Sequence, residues 1–235
     1  MTNRSDDHLL ALDYWVVQWF YSVFPLVIEQ LVSVEGIVFV ISGPAGVGKT
    51  TLCDRLLADF PNKLKRVVTA TTRKPRAGEV DGVDYHFLTQ EEFIGQVNEG
   101  AFVEHECVHQ NLYGTQKNAF ILSGENQHYD LLLNIDVNGA SSLKKFADEN
   151  TLLRGVLFSV FVLPSSIEEL KDRLTKRGTD NQIEIETRLQ TAELEIKRKN
   201  QFNYILPSKE KDTDYQKLME YYLSCSNNAK PKRKD

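Results

Sequence analysis

The 235-residue chain has few cysteines, no surplus of positive charge, no internal repeat and no low-complexity tract. Cys53, Cys107 and Cys225 lie far apart with no paired spacing. That excludes a disulfide framework and a cysteine zinc site, and it fits reduced thiols in a cytoplasmic compartment. A net charge of −5 leaves no electrostatic footprint for nucleic acid as a partner, although local basic clusters can still hold phosphates. His105 and His109 have no carboxylate or cysteine at ligand spacing and read as surface residues. An apolar share of 41% is enough to bury a core, so the length suits one α/β domain or a core carrying small insertions.

A long uninterrupted apolar run is missing as well. Residues 9–34 are largely apolar, but Gln18, Ser22, Pro25 and Glu29 break them, which argues against a membrane span. Asp6, Asp7 and Asp13 surround Arg4, which argues against a secretory signal. Gln18, Ser22 and Glu29 share one stripe at helical spacing, so an amphipathic helix is expected. Three readings stand for it. It docks on the core or on another copy of the chain, giving a homo-oligomer; it touches a membrane surface; or it precedes the true start of the working protein. The expected organisation is an extension over 1–35, a folded domain over 36–228 and a basic tail over 229–235.

What is present becomes legible after Gly36. Ile37 to Ile41 is a continuous β-branched and apolar run, the mark of a strand buried on both faces. It leads into Gly43-Pro44-Ala45-Gly46-Val47-Gly48-Lys49-Thr50-Thr51 and then a helix-like stretch from Leu52 to Asp59. Strand, glycine-rich turn and helix together form the context of a phosphate-binding loop for ATP or GTP. The glycines let backbone N–H groups point at phosphate oxygens. Lys49 adds charge for the β- and γ-phosphates, and the Thr50 hydroxyl suits Mg²⁺.

Downstream, Thr69 to Tyr85 is dense in anion-binding chemistry. The guanidinium groups of Arg73 and Arg76 can each engage two phosphate oxygens, Tyr85 can add a hydroxyl donor, and Glu79 can pair with an arginine to hold its orientation. Two further strands are expected, one from Tyr129 ending in the acid Asp136, the other from Val156 to Leu163. Asp136, at a strand end in a parallel sheet, is placed for a nucleotide or for the water shell of Mg²⁺.

The segment TTRKPRAGEVDGVDYHF, with GPAGVGKTT about thirty residues upstream, resembles the monophosphate-binding segment of guanylate kinases. The resemblance runs from about Gly36 to about Tyr222. It implies a P-loop NTPase core with a parallel sheet flanked by helices, a GMP-binding insertion over about 68–118 and a lid over about 165–190. It also implies transfer of the γ-phosphoryl group of ATP to GMP or dGMP, with Mg²⁺ accompanying ATP. By that resemblance Arg73, Arg76 and Tyr85 hold the GMP phosphate, with Glu79 supporting them, and Thr69 lies near guanine. Glu104 matches the base-reading glutamate, while Tyr113 and Thr115 match positions touching phosphate and base. Asp136 is kept from the family's acidic pair, whereas Asn134 replaces its first aspartate. Arg173, Arg177 and Arg188 match lid arginines over the ATP phosphates, and Lys49, Arg73, Arg177 and Arg188 carry the transfer. Ser208 stands where the family has an asparagine near adenine. Family-like modules that only bind other proteins typically lose the phosphate loop, which is intact here. A sugar-phosphate acceptor is disfavoured by Glu104 and Tyr113.

Overall fold

The computed structural model describes residues 36–108, 110–120, 129–150, 153–178 and 181–228, with the side chain of Arg177 excluded. The stretch 1–35 with its expected amphipathic helix, His109 and the tail 229–235 lie outside the described residues. Strand β1 (Val38–Ser42), helix α1 (Lys49–Asp59) and β2 (Leu64–Arg66) come first. An insertion follows, made of β3 (Thr69–Thr71), β4 (Tyr85–Phe87), α2 (Gln90–Asn98), β5 (Phe102–Val108) and β6 (Asn111–Gln116). The chain returns through β7 (Asp130–Asn134), α3 (Val137–Glu149) and β8 (Leu157–Leu163). A helical pair, α4 (Ile167–Arg177) and α5 (Gln182–Lys197), precedes β9 (Tyr204–Pro207) and α6 (Lys211–Asn228).

The main sheet has the order β2-β7-β1-β8-β9, with every pairing parallel. All five residues of β1 are buried. Ile37, Phe39 and Ile41 pack with Leu56 of α1 and with Leu218 and Tyr222 of α6, while Val38 and Val40 pack with Leu131, Leu133 and Leu143 on the other face. Helices on both faces are the reason the run is continuously apolar rather than alternating. The three inner strands match the three expected from sequence, with one correction. β7 stops at Asn134, and Asp136 caps α3 instead, its Oδ1 accepting from the N–H groups of Asn138 (2.8 Å) and Gly139 (2.9 Å). The first-turn N–H groups of a helix have no partner within it, and a carboxylate satisfies them better than strand pairing would use it.

The insertion folds into its own four-stranded sheet, β4-β3-β6-β5. Its small core stacks Phe93 on Phe102 at 4.5 Å between ring centres. Capping boxes start α2 (Thr89 with Glu92) and α5 (Asn181 with Glu184), and α4 ends on Gly178 at φ 68°. The caps of α4 and α5 set ends of the helices that carry Arg173 and Arg188.

One buried carboxylate ties the domain's start to its end. Asp130 Oδ1 accepts from Ile37 N (2.9 Å), and Oδ2 accepts from Tyr222 Oη (2.8 Å) and Ser226 Oγ (2.7 Å). A side chain at Gly36 would put Cβ 2.3 Å from Tyr129 O and 2.5 Å from Asp130 Oδ1, so the chain enters the sheet through a glycine. Asp130→Ala strands these buried donors, and each unsatisfied group costs about 1–3 kcal/mol. The expected loss is about 3 kcal/mol in urea unfolding. A loss below about 1 kcal/mol would show that water replaces the carboxylate.

Candidate active site

The glycine-rich loop leaves the C-terminal end of β1, where ligands gather in open parallel sheets. Gly43 adopts φ 137°, and a Cβ there would meet Val162 O at 2.6 Å, so no other residue fits. Gly48 begins α1 at φ 103° without any side-chain cap. The first-turn N–H groups of α1 are therefore left for an anion, which the helix dipole also favours. Lys49 Nζ folds back to donate to Gly43 O (2.6 Å) and Pro44 O (3.0 Å). Phosphate oxygens are the stronger acceptors for an ammonium, so a nucleotide would draw Lys49 off these carbonyls.

Beside the loop, Asn134 Nδ2 donates to Thr50 Oγ1 at 3.2 Å. Asp136 stands two residues further on, and its Oδ2 takes no part in the cap of α3. Hard oxygen donors sit here from the cap of α3 and from the start of α1.

On the insertion side, β5 and β6 place Glu104 opposite Thr115. Glu104 is only 6% exposed, and its Oε1 accepts from Thr115 Oγ1 at 2.5 Å. Burial pushes its carboxyl up to about 7; the Thr115 hydrogen bond opposes this, and the negative charges of Asp136 and Glu106 add to it. Gly139 of α3 lies over the carboxylate, and a Cβ there would sit 3.1 Å from Glu104 Oε2. The glycine thus leaves the second oxygen its space.

Arg73 and Glu79 form a two-pronged pair, Nη1 to Oε2 and Nη2 to Oε1, both 2.9 Å. Arg76 N also donates to Glu79 Oε2 at 2.7 Å, which locks the turn that carries both arginines. Burial works to raise the Glu79 carboxyl, but the bonds from Arg73 and Arg76 N hold it below the usual carboxylate range. The Arg73 guanidinium lies 5.4 Å from the Tyr85 ring, which meets Tyr113 edge-on at 6.2 Å. Burial, with Tyr113 beside it, raises the Tyr85 phenol, so that hydroxyl stays a donor.

From the helical pair, Arg173 pairs with Glu169 and donates to Val47 O (3.0 Å), so α4 grips the loop directly. Gly46 packs under Leu174 of the same helix. One cavity of about 830 Å³ brings these parts together. Lys49, Thr50 and Thr51 line it with Gly43, Ala45, Gly46 and Gly48 of the loop. Thr69, Arg73, Arg76, Glu79, Tyr85, Glu104 and Tyr113 line it from the insertion, and Asp136, Arg173 and Arg188 from the remaining elements. Pro44, Val47 and Thr115 do not line it, and Arg177's side chain is outside the described residues. The sequence reading missed Glu195, which lines the cavity from α5. Its signal was present: it follows Arg188 by seven residues, hence the same helical face.

The chain matches the family model described as guanylate kinase over residues 36–224. It is 41% identical over 172 residues to a guanylate kinase of Clostridioides difficile, covering 73% of this chain and 80% of that protein. It is 38% identical over 190 residues to a guanylate kinase of Rickettsia felis, covering 81% and 94%. Among solved structures, the crystal structure of guanylate kinase from Anaplasma phagocytophilum aligns with a TM-score of 0.62 and 28% identity, over 81% of this chain and 86% of that one. The chain belongs to the guanylate kinase family.

Proposed function

We propose that this chain transfers the γ-phosphoryl group of ATP to GMP or dGMP, giving ADP and GDP (or dGDP) in purine nucleotide metabolism. The observation that carries the reading is the buried Glu104 carboxylate lining the same cavity as the glycine-rich loop and the Arg73–Arg76 turn. Guanine offers N1–H and N2–H side by side, and one carboxylate offers two acceptors at matching separation. Adenine has an acceptor at N1 and no N2 amine, so it would set a lone pair against the Glu104 carboxylate. In this reading Thr69 and Thr115 complete the guanine side, and Tyr113, edge-on to Tyr85, faces the phosphate. Arg73, oriented by Glu79, joins Arg76 and Tyr85 on the GMP phosphate.

ATP then lies along the loop from Gly43 to Thr51, its phosphates facing Lys49 and the arginines Arg173, Arg177 and Arg188. Phosphoryl transfer asks the protein for alignment and charge rather than covalent chemistry, and these cations supply both. Thr50 Oγ1 and Asp136 Oδ2 are hard donors that fit Mg²⁺, Asp136 through water. Bound with ATP, Mg²⁺ neutralises charge on the β- and γ-phosphates. The nucleotide-contacting domain is 36–228, with the GMP insertion at about 68–118 and the lid at about 165–190. Free cysteines, with Cys53 pushed up to about 12 by burial, suit a cytoplasmic enzyme.

Asn134 sets a handicap in this scheme. Its amide donates to the Thr50 hydroxyl and takes up one of the two lone pairs of the oxygen that a metal would use. Asn134→Asp reverses the polarity: the carboxylate accepts the Thr50 proton and turns a lone pair outward. The half-saturating Mg²⁺ concentration is expected to fall about tenfold, the size of effect that outer-shell partners have on metal affinity. Mn²⁺ binding to the ADP complex, followed by electron paramagnetic resonance, should tighten in parallel. An unchanged or higher requirement would mean that another group already orients Thr50.

The function itself is tested by a coupled ADP-release assay offering GMP, dGMP, AMP, CMP and UMP in turn. The kcat/KM for GMP should exceed that for AMP by at least about 10⁴-fold, the discrimination of a site built to hydrogen-bond its substrate. Comparable rates with AMP would contradict the reading.

A further inference from the structure

Among the charged side chains that line the cavity, Glu195 has no part in the transfer reading. Arg188, Thr191 and Glu195 line it from a single face of α5. Seven residues of helix separate Arg188 from Glu195, roughly 10 Å along the axis. Arg188 therefore sits toward the lid end, and Glu195 sits at the root, beside the loop. The root is anchored: Arg198, which ends α5, donates to Asn138 Oδ1 and to Ser141 Oγ (2.6 Å) on α3. Ser141 in turn donates to Val137 O at 2.9 Å. Glu195 is thus carried on a helix end fixed to the main sheet's helical layer.

We propose that Glu195 is a positioning residue for phosphoryl transfer, its carboxylate facing the Lys49 ammonium across the cavity and aiming it at the incoming phosphates. The inference rests on the transfer reading given above. Lys49 is held from one side by Gly43 O and Pro44 O, and those carbonyls pull it back into the loop. A carboxylate on the opposite wall supplies the counter-pull, so that the ammonium spans the space a γ-phosphate enters. The charges acting on Glu195 agree with that placement. Burial raises its carboxyl to about 7, and among its neighbours Lys49 acts most strongly, in the opposite sense. Asp136 and Arg198 act more weakly. A purely structural alternative exists, in which Glu195 merely pairs with Arg198 to steady α5.

The test is Glu195→Gln in the full chain, with Glu195→Ala as a second variant should the buried amide prevent folding. Two readouts separate the alternatives. The ¹⁵Nζ signal of Lys49, assigned by its loss in Lys49→Arg, is expected to shift in the variant while other lysine signals stay in place. The kcat for GDP formation is expected to fall about tenfold, a modest fraction of the cost of misplacing a reacting group. KM for ATP and GMP should stay within about twofold, because the contact acts on the aligned state rather than on nucleotide binding. An unmoved Lys49 signal would overturn the inference. So would a kcat within about twofold of the parent's in a parent that makes GDP. A parent that makes no GDP would instead sink the transfer reading, and the Lys49 signal alone would then decide whether the two residues meet.

Discussion

Lys49→Ala is expected to leave a folded chain whose GDP formation is slower by about 10³-fold or more, the cost of removing a preorganised charge from a transition state. That factor corresponds to about 4 kcal/mol. Folding should survive for two reasons. The ammonium's hydrogen bonds within the loop go to Gly43 O and Pro44 O, and the backbone turn there is set by glycines rather than by the lysine. Alanine is also a better helix former at the first position of α1. Circular dichroism and thermal melting check the fold, and the coupled assay checks turnover. A variant that keeps its fold and more than about a tenth of its rate would remove the loop from the chemistry.

Glu104→Gln is expected to lower kcat/KM for GMP by about 10²- to 10³-fold while KM for ATP changes less than about twofold. The amide replaces one acceptor with a donor, which faces the donors of guanine. Equal losses for both nucleotides would deny Glu104 a base-reading role. A pH signature accompanies this variant. In the empty site the Glu104 carboxyl titrates at about 7, well above its unfolded value, because it is buried. The sign is as follows: the folded protein holds this proton more tightly than the unfolded chain, so its contribution to stability is present at acid pH and lost as pH rises through about 7. Guanine's two donors require the ionised form, so GMP binding expels the proton and tightens as pH rises toward 7, then levels off. The phosphate of GMP titrates in the same range, but it does so equally for parent and variant. The difference between their binding profiles therefore isolates Glu104, and Glu104→Gln should flatten it.

The parts of this molecule that were legible in sequence are those dictated by the backbone or by neighbours close in the chain. Gly43, Gly46 and Gly48 are spaced for a turn that admits no side chains at φ 137°, 83° and 103°, and that spacing survives in any sequence that makes the turn. The inner strands announce themselves because both faces are buried. β2 and β9 do not. They are short edge strands reading LKR and YILP, and the charges and proline that make edges safe also erase the strand pattern. Asp136 was misplaced for a related reason. An acid after Ile135 reads as the end of a strand, and only the following helix turns it into a cap. The Arg73–Glu79 pair lies within six residues and could be anticipated from local chemistry. The contacts of Asn134 with Thr50 and of Asp130 with Tyr222 join distant parts of the chain, and no local pattern encodes them.

Direct transfer between two bound nucleotides is the central claim, and following the phosphorus itself tests it best. ATP labelled at the γ-phosphate is incubated with the chain, Mg²⁺ and GMP, and the nucleotides are separated. The label is expected in the β-position of GDP, with little free phosphate, if the proposed lid closes and excludes water from the reacting group. Label that appears only in inorganic phosphate, at a rate indifferent to GMP, would show a hydrolase and contradict the account.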